Sequence, residues 1–213
     1  KYKVKTVITT SSQTAKVLKE KFPSLNILNI TEGIDPSLYD GGRDLNKRNI
    51  DILEYGRSNP NVGNLEFDGN KYRHIKSKNG ERLFKTEKEL KDALSDTKVT
   101  IAYPRCVTDP ITAGNVETLT QRYWENMLSK IVMVGKAPSE LINLVGYNPV
   151  INLNEEDAEK QINDILENIN DYQELVDKNR DIALQYSSWA DRVKIIEEYL
   201  ASKRKDAEIM LEQ

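Results

Sequence analysis

The sequence predicts an α/β fold, a Rossmann-like mainly parallel sheet flanked by helices, on three observations. Short β-branched or apolar runs alternate with helical segments along the 213 residues. The helices between them have the length that a crossover between parallel strands needs. Apolar residues make up 38% of the chain and charged residues 31%, which supports a packed core under a heavily charged surface.

The elements follow in order. "KTVITTS" (5–11) is short and β-branched, hence a strand. "SQTAKVLKEKF" has Ala15, Leu18 and Phe22 at helical spacing behind a serine cap. "NILNI" (26–30) is the next strand. The turn "TEGIDP" and the polar stretch "DGGRDLNKRN" form the best linker candidate. "IDILEYGR" (50–57) is a strand running into Gly56-Arg57, and a turn-rich stretch follows it. "KYRHIKS" and "ERLFK" are expected as short strands. "TEKELKDALSDT" is a helix whose Thr86 and Glu89 are spaced as a capping box. "KVTIAYP" is a strand stopped by Pro104, "CVTDPITAGN" a loop and "LTQRYWENMLSK" a helix. "IVMVG" is a buried strand, "PSELINLVG" a short helix and "PVINL" the last strand. From Glu155 onward the pattern is helical and charged.

Charge is unevenly spread. Residues 1–150 hold 23 basic and 18 acidic side chains, a net +5, and residues 151–213 hold 8 and 16, a net −8. The acidic second part argues against general nucleic-acid binding, and the basic first part suits a small phosphorylated ligand. The lone cysteine, Cys106, can form no internal disulfide and fits a reducing compartment. One histidine and one cysteine make a zinc cluster implausible.

In a sheet of this kind ligands bind at the carboxyl ends of the strands, where the strand order switches. Those ends carry Gly56-Arg57, Pro104-Arg105 and the loop leading to Glu117. In "ETLTQRYWE", Leu119, Tyr123, Met127 and Ile131 line one helix face, so Trp124 is expected in the core and Glu125 off the centre of that face. A carboxylate at 117 would fall on the apolar side if helical, so Glu117 is expected in the loop before the helix. A helix start offers free N–H groups and a positive dipole end that suit phosphate. Taken alone, the two glutamates also fit a solvated helix face.

Other residues have plainer readings. His74 is expected on the surface or an edge strand, and Asp109 before Pro110 shapes a turn. Gly33 supplies backbone freedom. Tyr103 could stack on a base or pack beneath the loop. Trp189 anchors the last helices, whose stripes Ile162, Ile165, Leu166, Ile169 and Val193, Ile196, Leu200 pack inward. The tail from Ser202 is expected to fray.

Several stretches, taken in order, resemble the GT-B glycosyltransferases, in particular the large retaining group called glycosyltransferase family four. They are "ITEGID", "ILEYGR", "VTIAYPR", "ETLTQRYWENMLSKIVMVG" with Glu-x7-Glu, and "YSSWADRVKIIEEYL", spanning most of residues 26–200. The resemblance implies the C-terminal, donor-binding half of a two-domain enzyme. Residues 1–25 would be the end of the N-terminal acceptor domain, 26–200 the nucleotide-sugar-binding domain with its closing helices, and 201–213 a charged tail.

The implied activity is retaining transfer of a hexosyl unit from a UDP- or GDP-sugar to a sugar or lipid-linked acceptor, as in polysaccharide biosynthesis. No cofactor and no metal ligand are implied. A cytoplasmic location is expected, with membrane association through the missing domain, and little transfer by this half alone. By residue, the resemblance gives Glu117 the transferred sugar and Glu125 the ribose. Gly56-Arg57 would hold the diphosphate, and the amides of Thr118, Leu119, Thr120 and Gln121 would face sugar and diphosphate. An arginine fork fits phosphate oxygens and offsets the leaving charge.

Two departures stand out. Thr118-Leu119-Thr120 replaces Gly-Phe-Gly, and Val62 stands where the family has a lysine. Arg105 and Lys136, at strand ends, are the candidates to replace that charge. Two other readings are a non-catalytic α/β interaction module, in which both glutamates are surface charges, and a sugar-nucleotide epimerase, which needs acid/base groups in both halves.

Overall fold

The computed structural model describes residues 4–57, 59, 62, 65–77 and 82–209, with backbone only for 205–209. Its centre is a five-stranded sheet in which every pairing is parallel, built from β3 (Ile50–Glu54), β4 (His74–Lys76), β5 (Thr97–Ala102), β6 (Val132–Gly135) and β7 (Ile151–Asn152), in the order β4-β3-β5-β6-β7. The chain goes outward from β3 to β4, then crosses back to place β5 on the other side of β3. The strand order therefore switches between β3 and β5, which directs a ligand to the segments after Glu54 and Ala102.

Both sheet faces are covered. On one, Leu53, Met133 and Ala102 pack with Tyr123, Trp124, Met127 and Leu128 of α5 (Gln121–Leu128), with Leu94 of α2 (Glu87–Ser95) and with Ala183 of α8 (Gln173–Tyr186). On the other, Ile52, Val99, Val132 and Val134 pack with Ile162, Ile165 and Leu166 of α7 (Ala158–Glu167). β5 and β6 are buried at nearly every position because neither face meets water.

Two further strands, β1 (Thr6–Thr9) and β2 (Asn26–Asn29), form a separate parallel pair joined by α1 (Ser12–Lys21). A boundary at residue 25 would thus cut one sheet in two, and the sheet break comes after Asn29. The stretch to Ile50 is not a loose linker. Arg48, only 3% exposed, donates to the carbonyls of Gly41, Arg43, Thr97 and Ser129 and clamps it to the sheet.

Other expectations are corrected. "CVTDPITAGN" holds two short helices, α3 (Arg105–Thr108) and α4 (Pro110–Ala113), because Asp109 caps the second with its side chain on the Thr112 amide. Arg82 to Lys85 forms bends rather than a strand, and Glu81 lies outside the described residues. Gly33 does not use a left-handed φ. It makes room, since a Cβ there would lie 2.9 Å from Arg192 Cδ and from the Ser187 carbonyl. That approach lets Ile34 exchange backbone bonds with Ser187 and Trp189, so the 30–35 segment docks on the start of α9 (Trp189–Ile209).

Trp189 itself is 37% exposed, and Val193 and Leu200 also face outward, whereas the α7 stripe is buried. α9 runs without a break through residue 201 to Ile209, so the expected tail is helical that far. Met210 to Gln213 lie outside the described residues.

Candidate functional site

β3 ends in Glu54, and the chain turns at once through Tyr55, Gly56 and Arg57. Gly56 takes φ +74°, a left-handed value that favours glycine. A cavity of about 700 Å³ opens here. It is lined by Tyr55, Gly56 and Arg57 after β3, Ser77 after β4, Leu83 and Phe84, Thr86, Glu87 and Leu90 of the α2 start, and Thr108 after β5. It sits at the switch point and falls in the 300–1,000 Å³ range of small-molecule sites. The lining combines the apolar Leu83, Phe84 and Leu90 with the cationic Arg57 and Arg82, residue types suited to a flat base and an anion.

Glu117 lies in the loop before α5, with Thr120 as the helix cap, as its position on the wheel required. Its carboxylate is not open. It accepts from the Ser139 amide (3.0 Å) and hydroxyl (2.8 Å), and pairs with Lys136 (3.0 Å). It thus sits on the first residue of α6 (Ser139–Val145), where a carboxylate is favoured. Burial pushes its pKa up, but the Ser139 and Lys136 contacts outweigh burial, and the net shift is downward.

Glu125 behaves in the opposite way. It lies two turns further along, beneath the cavity-lining Tyr55, whose hydroxyl is 3.0 Å from Glu125 Oε2 and 3.1 Å from Asn126 Oδ1. Burial raises its pKa, and the Tyr55 bond and the Arg122 charge only partly offset this. The wheel placed Glu125 off the apolar face, yet it is partly buried, because Tyr55 arrives from β3 to cover it.

The amides between them alternate. Leu119 N–H is taken by Glu140 Oε2 (3.4 Å), and Gln121 N–H by Glu32 Oε2 (3.3 Å). These two amides, expected to face a ligand, have carboxylate partners within the chain in this structure. Thr118 and Thr120 N–H have no hydrogen-bond partner among the described residues. Glu140 also accepts from Ser12 N–H and Asn29 Nδ2, and the Glu117 amide donates to Gln13, so the β1–α1–β2 unit is tied to this loop.

The cations divide too. Arg57 is 55% exposed and 3.9 Å from Asp109. Arg105 is paired with Asp109 at 3.1 Å, and Lys136 with Glu117. Val62 is 2% exposed and packs in the core. Sequence reasoning missed Arg122, whose guanidinium lies over the Tyr55 ring (5.2 Å) and donates to the Arg57 carbonyl (3.2 Å). It also missed Tyr55, Glu32, Glu140 and the apolar cavity wall.

Tyr103 packs into the core below β5 and does not line the main cavity. His74, on edge strand β4, is enclosed and 2.8 Å from the buried Glu54. Among the described residues no group of three or more His, Cys, Asp or Glu is placed to hold a metal ion, and no helix is long and apolar enough to cross a membrane.

No protein-family model and no curated protein sequence matches the chain. Its fold matches solved structures. Sucrose-phosphate synthase from Thermosynechococcus elongatus is 15% identical, with 95% of this chain and 59% of that one covered and a TM-score of 0.58. HepE of Anabaena, solved with UDP-glucose, is 14% identical over 93% of this chain and 64% of that one, with a TM-score of 0.59. A glycosyltransferase from Rickettsia africae is 14% identical over 92% and 64%, with a TM-score of 0.58. The chain spans about three fifths of the length of each. At these identities the likeness is one of fold, and that fold is the Rossmann-like C-terminal half of a GT-B fold.

Proposed function

We propose that this chain is the donor-binding half of a glycosyltransferase that takes a nucleotide-diphospho-sugar. The observation that carries the reading is the cavity at the β3/β5 switch point, with an apolar wall, two arginines and Glu125 beneath its Tyr55 floor. The base would lie against Leu83, Phe84 and Leu90. The ribose would compete with the Tyr55 hydroxyl for Glu125. The diphosphate would meet Gly56-Arg57 and the open amides of Thr118 and Thr120. Arg105, held by Asp109, would stand beside Arg57. Glu117 would act on the sugar together with Lys136, whose ammonium is half exposed and can donate to sugar hydroxyls.

The finer reading is retaining transfer of a hexosyl unit to a sugar or lipid-linked acceptor. The bond from the anomeric carbon to the diphosphate oxygen breaks, the acceptor oxygen bonds to the same face as its proton passes to the leaving diphosphate, and Arg57 offsets the remaining charge on that group. The UDP-glucose bound to HepE favours a uridine donor. A role in polysaccharide biosynthesis, in the cytoplasm or at a membrane, belongs to the same reading, as does low transfer by this half alone.

A second reading, a non-catalytic interaction module, draws on the Glu32 and Glu140 carboxylates that already fill two site amides. Calorimetric titration with UDP, GDP and ADP separates the two. The donor reading expects one nucleotide to bind, and Glu125→Ala to weaken it by about 1–3 kcal/mol, the cost of stranding polar partners. No binding of any nucleotide would favour the module.

A further inference from the structure

We infer that Arg122 is an anion-binding residue of this site, the second cation that receives the diphosphate of a nucleotide donor. The inference rests on the donor reading above for the identity of the ligand, but its geometry stands separately. Arg122 is the second residue of α5, where the helix dipole is positive and a cation is disfavoured. Among the described residues Arg122 forms no ion pair, and its charge acts on Glu125 only at longer range, whereas Arg105 and Lys136 at the neighbouring strand ends each have an acid in direct contact. Of the five N–H donors of its guanidinium, one is used among the described residues, on the Arg57 carbonyl.

The guanidinium is nevertheless held in place. The Tyr55 ring supports its face, and Gly56 clears its edge, because a Cβ at 56 would overlap Nη2. A residue kept at an unfavourable dipole end, with its plane fixed and four donors unspent, is preorganised for an anion between α5 and the Gly56-Arg57 turn. That turn carries Arg57, and the amides of Thr118 and Thr120, unpaired among the described residues, precede α5. Arg122 therefore supplies the charge that Val62 cannot, in place of Arg105 or Lys136.

The test is calorimetry on wild type, Arg122→Ala and Arg122→Lys, with inorganic pyrophosphate, UDP, GDP and uridine as probes, and a melting temperature for each variant. The expected result is a loss of about 10- to 100-fold for pyrophosphate and the preferred diphosphate in Arg122→Ala, the range for a lost charge-assisted hydrogen bond. Uridine binding and melting temperature stay as in wild type, Arg122→Lys recovers part of the loss, and the variant depends less on salt.

Equal pyrophosphate affinity in wild type and Arg122→Ala overturns the assignment. So does a variant that melts earlier and loses uridine and pyrophosphate alike, which marks a merely structural arginine. If Arg122→Ala does not fold, Arg122→Gln decides by the same comparison. Pyrophosphate bound through Arg122 with no nucleotide bound would sink the donor reading and keep the anion site. Binding of neither probe overturns both.

Discussion

Glu117 and Glu125 bracket seven residues, and the fold treats them in opposite ways. At the Glu117 end the carboxylate is saturated by Lys136 and Ser139, and its pKa falls. At the Glu125 end the carboxylate is enclosed beneath Tyr55, meets the hydroxyls of Tyr55 and Tyr39, and its pKa still rises because burial outweighs them. The first acid contributes to stability when ionised, and the second costs stability when ionised. A carboxylate held buried at such a cost is the stronger candidate for a binding role.

Removing Glu117 should have the largest effect on that contrast. Glu117→Ala leaves the Ser139 amide and hydroxyl without their acceptor, and a loss of about 1–3 kcal/mol is expected in urea unfolding at pH 7. Its folded pKa lies below the ordinary value of 4.5, so the contribution is present above that pH and is lost as pH falls through the folded value. Wild type and variant should converge in strong acid. A gap of the same size at pH 2 would show that the loss is not electrostatic.

For Glu125 the sign reverses. Its folded pKa lies above 4.5, so ionisation penalises the folded state as pH rises past 4.5, and the penalty is absent in acid. Glu125→Gln keeps an acceptor for Tyr55 and should raise the melting temperature at pH 7 by a few degrees, with the gain vanishing below pH 4.5. The same variant should bind nucleotide more weakly. A variant that is more stable and binds equally well would make Glu125 a structural relic and collapse the contrast.

The smallest effect is expected at Glu32, whose carboxylate sits on the Gln121 amide at the start of α5. Glu32→Gln removes an anion from the seat proposed for the diphosphate. Nucleotide affinity should rise about threefold, in keeping with roughly 0.3–1 kcal/mol for a charge at a helix end. Weaker binding would place Glu32 among the groups that help the ligand.

Much of this architecture was legible residue by residue. Thr86 caps α2, and the Glu89 side chain reaches back to the Lys85 amide. Leu119, Tyr123 and Met127 are buried together, and Glu117 precedes the helix. The stretches that misled have physical reasons. Asp109 caps a helix whose preceding turn looked like a loop, and the Val193–Leu200 stripe stays exposed because nothing among the described residues packs over it.

By itself the sequence determined the parallel sheet and the place of Gly56-Arg57 at a strand end, because hydrophobic period and turn chemistry act over a few residues, while the strand order that sets the switch point came from the structure. Only the tertiary structure decided which site groups are open. The partners that close them come from far along the chain: Glu140 is 21 residues from Leu119, Tyr55 is 70 from Glu125, and Glu32 is 89 from Gln121. No local pattern encodes such encounters. They exist because the sheet brings its strand ends to one edge, where a hydrogen bond depends on distance in space and not on separation in sequence.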